Sequence, residues 1–175
     1  ASERLSGTNV LRDFVELPSQ LFEHWLTEPA VLKKHARHVE TGEPIPDALV
    51  ARLHAARKFN QGYETVRYTA SALTDMAVHS LPCGHTPADP VAFEAQVLAE
   101  RGLPPGVGIN HRFPHFQHLF YGSAYAAGYY VYLWAEVLDA DAFEAFGEAG
   151  NPFDPQVAER LRSHARAEVG AADAD

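Results

Sequence analysis

The chain has 175 residues, of which 46% are hydrophobic and 21% charged, and its formal net charge is −9 at pH 7. This length and composition fit one globular domain, or a large piece of one, and argue against disorder. The excess of acidic residues leaves no basic stripe that would bind nucleic acid. No apolar run approaches the roughly 20 residues that span a bilayer. The single cysteine, Cys83, excludes an internal disulfide framework.

Apolar periodicity predicts helices along almost the whole chain. The first runs from about Asp13 to Leu26, with Pro18 in its first turns, where a helix tolerates proline. Further helices are predicted over residues 29–39, 47–62, 63–79, 89–101, 125–146 and 155–168, with a long irregular connection at 102–114. No segment alternates as a strand does, so the sequence predicts an all-α fold in which residues 1–175 form a single helical region.

Glu16 stands between Val15 and Leu17 in the first predicted helix, on the same face as Gln20 and Glu23. A carboxylate among apolar neighbours is costly to bury unless it is paired or binds a metal. The residues alone favour a simpler explanation, in which Glu16 stabilises the helix N-terminus by roughly 0.3–1 kcal/mol.

Tyr125, Tyr129 and Tyr132 recur at helical spacing and form one stripe of the helix predicted over 125–146. In a functional interpretation, their hydroxyls face a cleft and donate hydrogen bonds to a substrate carbonyl. The alternative is a core stripe, the commoner use of aromatic residues at this spacing, although each buried hydroxyl then needs a partner. His118, just before the stripe, is by itself an ordinary histidine.

The other histidines do not form a zinc motif. His111 and His115 are four residues apart, as in the HExxH helix of zinc proteases. Arg112 stands where that motif has its glutamate, however, and Pro114 would break the helix. We interpret this match as accidental.

Two long segments resemble the thimet oligopeptidase and peptidyl-dipeptidase family of zinc metallopeptidases. They are SGTNVLRDFVELPSQLFEHW, from residue 6, and HLFYGSAYAAGYYVYLWAEVLDADAFEAF, from residue 118. The stretch 41–79 between them is similar to the family's connecting helices, so the resemblance covers nearly the whole chain. The YAAGYY form is more similar to the peptidyl-dipeptidase branch. The resemblance implies the helical C-terminal part of a zincin-like catalytic domain.

The resemblance also implies a set of functional residues. A glutamate in the family's DFVE motif is the third zinc ligand, which here is Glu16, on the helix predicted at about 13–26. The family's histidine and tyrosines match a group within about 115–135, implied to bind the peptide backbone: His118, Tyr125, Tyr129 and Tyr132. Of these, Tyr132, Tyr125 and His118 are implied to take part in catalysis, with the two tyrosines as donors to the oxyanion.

Two features depart from the family pattern. No HExxH motif occurs in the chain, so two histidine ligands of the implied zinc ion and the general base are missing. In GSAY, Ala124 stands where the family usually has glycine, and Tyr121 adds bulk, which predicts a stiffer loop.

The resemblance therefore implies a metallopeptidase with one zinc ion per active site and short peptide substrates, completed by a missing N-terminal part of the same domain. The isolated chain is expected to be inactive, because one carboxylate cannot hold a catalytic zinc. The alternative is a non-catalytic helical module that binds peptides or pairs with a polypeptide supplying HExxH. A plain structural domain would make Glu16 and the tyrosine stripe coincidental. The single cysteine fits a reducing compartment, and we expect a cytoplasmic protein.

Overall fold

The computed structural model describes residues 8–171, with side chains through residue 164. Its elements, in chain order, are α1 (Leu17–Trp25), α2 (Pro29–His35), α3 (Asp47–Arg57), α4 (Gln61–His79), α5 (Pro90–Glu100), a 3-10 turn (Phe113–His115), α6 (Gln117–Phe120), α7 (Val131–Glu148) and α8 (Pro155–Ala171). No strand forms within this described range, where one isolated bridge pairs Arg37 with Pro44. The all-α prediction is confirmed. Ser6 and Gly7, at the start of the first family-like segment, lie outside the described residues.

The start of α1 differs from the prediction, since the helix begins at Leu17 rather than near Asp13. Pro18 lies in the first turn and has no backbone N–H to donate, so the hydrogen-bond ladder cannot extend regularly through it. The preceding residues form turns, in which the amide of Val15 donates to the carbonyl of Leu11 at 3.1 Å. Glu16 is therefore the N-cap residue of α1 instead of a residue within the helix.

The start of α7 also differs, because residues 121–130 form bends and turns and the helix begins only at Val131. Ala127 has a φ of +54°, in the left-handed region that a right-handed helix cannot contain. Of the predicted stripe, Tyr132 lies on α7, while Tyr125 and Tyr129 precede it.

The described residues divide into two compact units, residues 8–58 with 134–171, and residues 59–133. None of the helices in the described part of the chain is long and apolar enough to cross a membrane.

The first unit is held together by aromatic contacts between α1 and α7. The Trp25 ring lies edge-on to Phe143 and Phe146, with centroids 4.9 and 5.1 Å away, and its indole N–H donates to the carbonyl of Pro152 at 2.7 Å. These contacts anchor the C-terminal end of α1, and the other end of that helix carries Glu16.

The second unit is built around α4, α5 and the connection that follows them. Its core comprises Ala70, Ala72, Ile109, Phe113, Phe116, Leu119 and Tyr129. The irregular connection is tied to the helices by polar side chains: the Ser71 hydroxyl accepts from the Asn110 amide at 3.2 Å, and the Glu94 carboxylate accepts from the Phe113 amide at 2.7 Å. This core includes one of the tyrosines predicted to be functional, Tyr129.

Candidate functional site

Glu16 is partly buried at the N-terminus of α1. The Ser19 hydroxyl donates to the Glu16 carbonyl oxygen at 2.8 Å and lies 3.3 Å from Oε2 of its carboxylate. The carboxylate accepts no capping hydrogen bond from the backbone of α1. Its position is compatible both with a metal ligand and with a charge that stabilises the helix N-terminus.

The metal-binding capacity of the described side chains is limited. No group of three or more histidine, cysteine, aspartate or glutamate side chains within residues 8–164 is placed to hold a metal ion. A catalytic zinc takes three protein ligands and leaves one position open. These side chains therefore do not form such a site by themselves.

Four predicted side chains converge within the second unit. The His118 ring lies 5.9 Å from the Tyr125 ring and 6.2 Å from the Tyr129 ring, measured between centroids. Tyr132 lies 5.8 Å from Tyr125, with the planes 9° from parallel, and 5.4 Å from Tyr129. We call His118, Tyr125, Tyr129 and Tyr132 the aromatic cluster. The family resemblance assigned these residues to one site, and the structure places each of the four rings next to two of the others.

The members of the aromatic cluster differ in exposure. Tyr129 is 8% exposed and belongs to the core, whereas Tyr125 and Tyr132 are partly buried and His118 is exposed. Burial raises the pKa of Tyr129 above its ordinary value, so its phenol keeps its proton at neutral pH. Tyr129 is thus the inner member of the cluster, and the other three present a partly accessible edge.

Tyr68, a residue that sequence reasoning missed, supports the cluster from α4. Its phenol donates to the carbonyl oxygen of Tyr129 at 2.7 Å, and its ring stacks on the Tyr129 ring at 5.0 Å. The two loop residues that depart from the family pattern lie at the surface: Ala124 is exposed and the Tyr121 side chain is 81% exposed. Tyr121 therefore adds no bulk among the four clustered rings.

Asp75 and His79 are also missed residues. Asp75 is 1% exposed, and its carboxylate accepts from the backbone amides of Ala127 and Tyr129 at 3.0 and 2.9 Å. Nδ1 of His79 lies 2.7 Å from the same carboxylate. The available signal was an acid inside the apolar stretch SALTDMAV with a histidine four residues later, which share one helix face.

Comparison with known proteins shows which class of protein this chain is similar to. The chain is 44% identical over 147 residues to the dipeptidyl carboxypeptidase of Salmonella typhimurium, which covers 83% of this chain and 22% of that protein. It is 40% identical over 139 residues to oligopeptidase A of Escherichia coli, covering 79% and 20%. It is 39% identical over 142 residues to the organellar oligopeptidase A of Arabidopsis thaliana, covering 81% and 18%. These relatives are peptidases, and the chain spans about a fifth of their length.

A family sequence model identifies the family to which this chain belongs. The sequence model of peptidase family M3 matches residues 1–165. The chain belongs to peptidase family M3, which consists of zinc metallopeptidases, and the predicted resemblance is confirmed.

Proposed function

We propose that this chain forms part of a cytoplasmic zinc peptidase that hydrolyses short peptides, of the oligopeptidase or peptidyl-dipeptidase type, without nucleic-acid or membrane partners. The observation that carries the proposal is the convergence of the aromatic cluster in a chain of family M3. A partly accessible edge of phenols and an imidazole suits an extended peptide, because such groups donate hydrogen bonds to backbone carbonyls.

Within this proposal the accessible members of the cluster act on the scissile peptide. Tyr125 and Tyr132 donate hydrogen bonds to the carbonyl oxygen as it becomes an oxyanion, where a preorganised donor contributes about 2.7–4 kcal/mol. His118, the most exposed member, binds the peptide backbone. Tyr129 lies beneath these three side chains, and Tyr68 holds it through a hydrogen bond to its backbone carbonyl and by stacking on its ring.

Glu16 is proposed as one of three protein ligands of the zinc ion. Two histidine ligands and the general base would come from a part of the same domain that the 175 residues do not include. When bound, zinc polarises the scissile carbonyl and lowers the pKa of its bound water. Two facts support this assignment: Glu16 is partly buried at the N-terminus of α1, and the chain matches only about a fifth of each relative.

A chimeric enzyme tests the proposal. The chain replaces the matching segment of the Escherichia coli dipeptidyl carboxypeptidase, to which it is 42% identical over 147 residues. We expect the chimera to hold one zinc ion per molecule and to cleave short peptides in a chelator-sensitive manner. Products from peptides with free and with blocked C-termini distinguish dipeptide release from internal cleavage.

Glu16→Gln in the chimera tests the ligand assignment. It should lower zinc occupancy and turnover together, whereas the exposed Glu23→Gln, on the same helix, should change neither. Full zinc occupancy in the Glu16→Gln chimera would refute the ligand role. Chelator-sensitive turnover by the isolated 175-residue chain would refute the dependence on residues outside it.

A second candidate function is a non-catalytic module that binds peptides or is completed by a separate polypeptide. It is favoured by the described side chains, through residue 164, which include no group of three metal-binding residues. The coding region upstream of Ala1 separates the two functions. An in-frame HExxH supports the peptidase, and a start codon without that motif supports the module.

A further inference from the structure

Asp75 presents a buried charge to the backbone of the segment that carries the tyrosines. Oδ1 accepts from the Ala127 amide at 3.0 Å and Oδ2 from the Tyr129 amide at 2.9 Å, and the residue is 1% exposed. A buried carboxylate is tolerated only when its oxygens are well satisfied. Each oxygen here serves one amide of the same short turn, so the carboxylate fixes two points of that turn at once.

The turn needs such support. Ala127 has a φ of +54°, a left-handed conformation that is unfavourable for any residue with a Cβ atom. Both amides that Asp75 binds lie at or just after this residue. The nearby amide of Gly128 closes the turn by donating to the Tyr125 carbonyl at 2.9 Å.

His79 and Tyr68 extend this support along the same face of α4. Nδ1 of His79 lies 2.7 Å from Oδ1 of Asp75 and 3.0 Å from its carbonyl oxygen. The Tyr68 phenol donates to the carbonyl of Tyr129 at 2.7 Å. Residue 129 is therefore held at its amide by Asp75 and at its carbonyl by Tyr68.

We propose that Asp75, oriented by His79, is the positioning residue for the aromatic cluster. It holds the turn at 127–129 in its left-handed conformation and thereby sets the stacking of Tyr125 on Tyr132. Asp75 itself contacts no substrate, and its effect on peptide hydrolysis rests on the function proposed above.

Asp75→Asn is the informative substitution, because asparagine keeps the size of the side chain but can accept hydrogen bonds at one of its two terminal atoms only. The amide group then faces a backbone N–H that has lost its acceptor. Amide exchange should therefore accelerate by about tenfold or more at Ala127 or Tyr129, whichever amide faces the NH2 group. In protein labelled with 3-fluorotyrosine, the fluorine resonances of Tyr125 and Tyr132 should shift.

Asp89→Asn is the matched control. Asp89 also accepts two backbone amides, those of Val91 and Ala92 at 2.9 and 3.0 Å, but it caps α5. This variant should accelerate exchange at the start of α5 and leave the tyrosine resonances unchanged. An Asp75→Asn protein with wild-type exchange at 127 and 129, or with exchange raised equally throughout residues 59–133, would overturn the positioning role.

His79→Gln serves if Asp75→Asn does not fold. It leaves the carboxylate in place and removes the imidazole that orients it. The changes in amide exchange and in the fluorine resonances should therefore be of the same kind as in Asp75→Asn, but smaller. Unchanged exchange at Ala127 and Tyr129 in this variant would overturn the orienting role of His79 and, with it, the proposal as stated.

The chimeric enzyme supplies the functional measurement. Asp75→Asn should lower kcat by about tenfold or more with a smaller change in KM, since a displaced oxyanion donor is felt mainly in the transition state. Asp89→Asn should keep the wild-type kcat. If the unsubstituted chimera is inactive, the proposed function fails, and amide exchange in the chain still decides the positioning role. Wild-type kcat in the Asp75→Asn chimera would overturn the inference while the proposed function stands.

Discussion

The rings of Tyr125 and Tyr132 stack with centroids 5.8 Å apart and planes 9° from parallel, although only Tyr132 lies in a helix. In a continuous helix, residues seven positions apart are separated by about 10 Å along the axis. The left-handed turn at Ala127 replaces that spacing and allows the two phenols to lie side by side. The loss of helix before Val131 is therefore what brings the two phenol rings together.

Removing either phenolic hydroxyl of this pair should impair the chimeric enzyme described above. Tyr132→Phe and Tyr125→Phe retain the ring and its stacking but delete the donor. Loss of one oxyanion donor lowers kcat by about 10²–10³. The measurement is kcat and KM for a short peptide, with circular dichroism to verify unchanged helix content.

Tyr130→Phe is the control for these two variants, because Tyr130 is adjacent in sequence and 42% exposed. It should retain the wild-type kcat. If Tyr125→Phe and Tyr132→Phe both turn over at the wild-type rate, neither hydroxyl stabilises the oxyanion, and the cluster would serve peptide binding alone.

The sequence predicts the fold where apolar periodicity is uninterrupted. α4 and α5 begin and end within about two residues of their predicted limits, the ordinary uncertainty of helix ends. The misplaced starts of α1 and α7 have local backbone causes. At α1, Pro18 lacks a donor, and the helix shortens. At α7, Ala127 has a positive φ, which alanine rarely adopts. The sequence AAGYY therefore does not predict that the helix is interrupted at this residue.

Within the candidate site, only the residues that match the family's motifs could be predicted from the sequence. The resemblance grouped His118 with the three tyrosines, and the structure places their rings next to one another, while their roles stay predictions. Asp75 escaped because its partners are backbone amides 52 and 54 residues away. Every residue except proline has a backbone amide, so residue type does not indicate which amide an acid binds. Only the fold shows that partner.

Replacing Ala127 by glycine should stabilise the second unit. Glycine adopts positive φ without the penalty of about 1–2 kcal/mol that alanine bears, and its extra freedom in the unfolded chain removes about 0.4–1 kcal/mol of that gain. The free energy of unfolding in urea should therefore rise by up to about 1.6 kcal/mol. Ala126→Gly, at a residue without positive φ, should lower it instead. If both variants destabilise equally, the left-handed conformation of Ala127 carries no strain.

Removing the carboxylate of Asp139 should destabilise the first unit. Asp139 is 4% exposed, and its Oδ1 lies 2.7 Å from Nε2 of His24, whose ring stacks on Phe143 at 4.5 Å. Asp139→Ala leaves the imidazole without this partner and should lower the free energy of unfolding by about 1–3 kcal/mol. Asp141→Ala, at an exposed position two residues along α7, should change it by about 0.5 kcal/mol or less. Urea titration followed by tryptophan fluorescence measures both, and equal stabilities would refute the contribution of the His24 contact.

The buried phenol of Tyr129 should make the protein sensitive to alkaline pH. Burial raises the pKa of Tyr129 in the folded protein, while in the unfolded chain a tyrosine ionises near its ordinary value of about 10. The folded state therefore retains a proton that the unfolded state releases, and this stabilisation is complete below about pH 10 and is lost as the pH rises further. Tyr129→Phe removes the ionisable group, so its Tm should fall less than that of the wild type between about pH 9 and pH 11. Tyr121→Phe, which alters a side chain that is 81% exposed, should retain the wild-type slope. A Tyr129→Phe protein whose Tm falls as steeply as the wild type would show that the alkaline loss of stability arises from other groups.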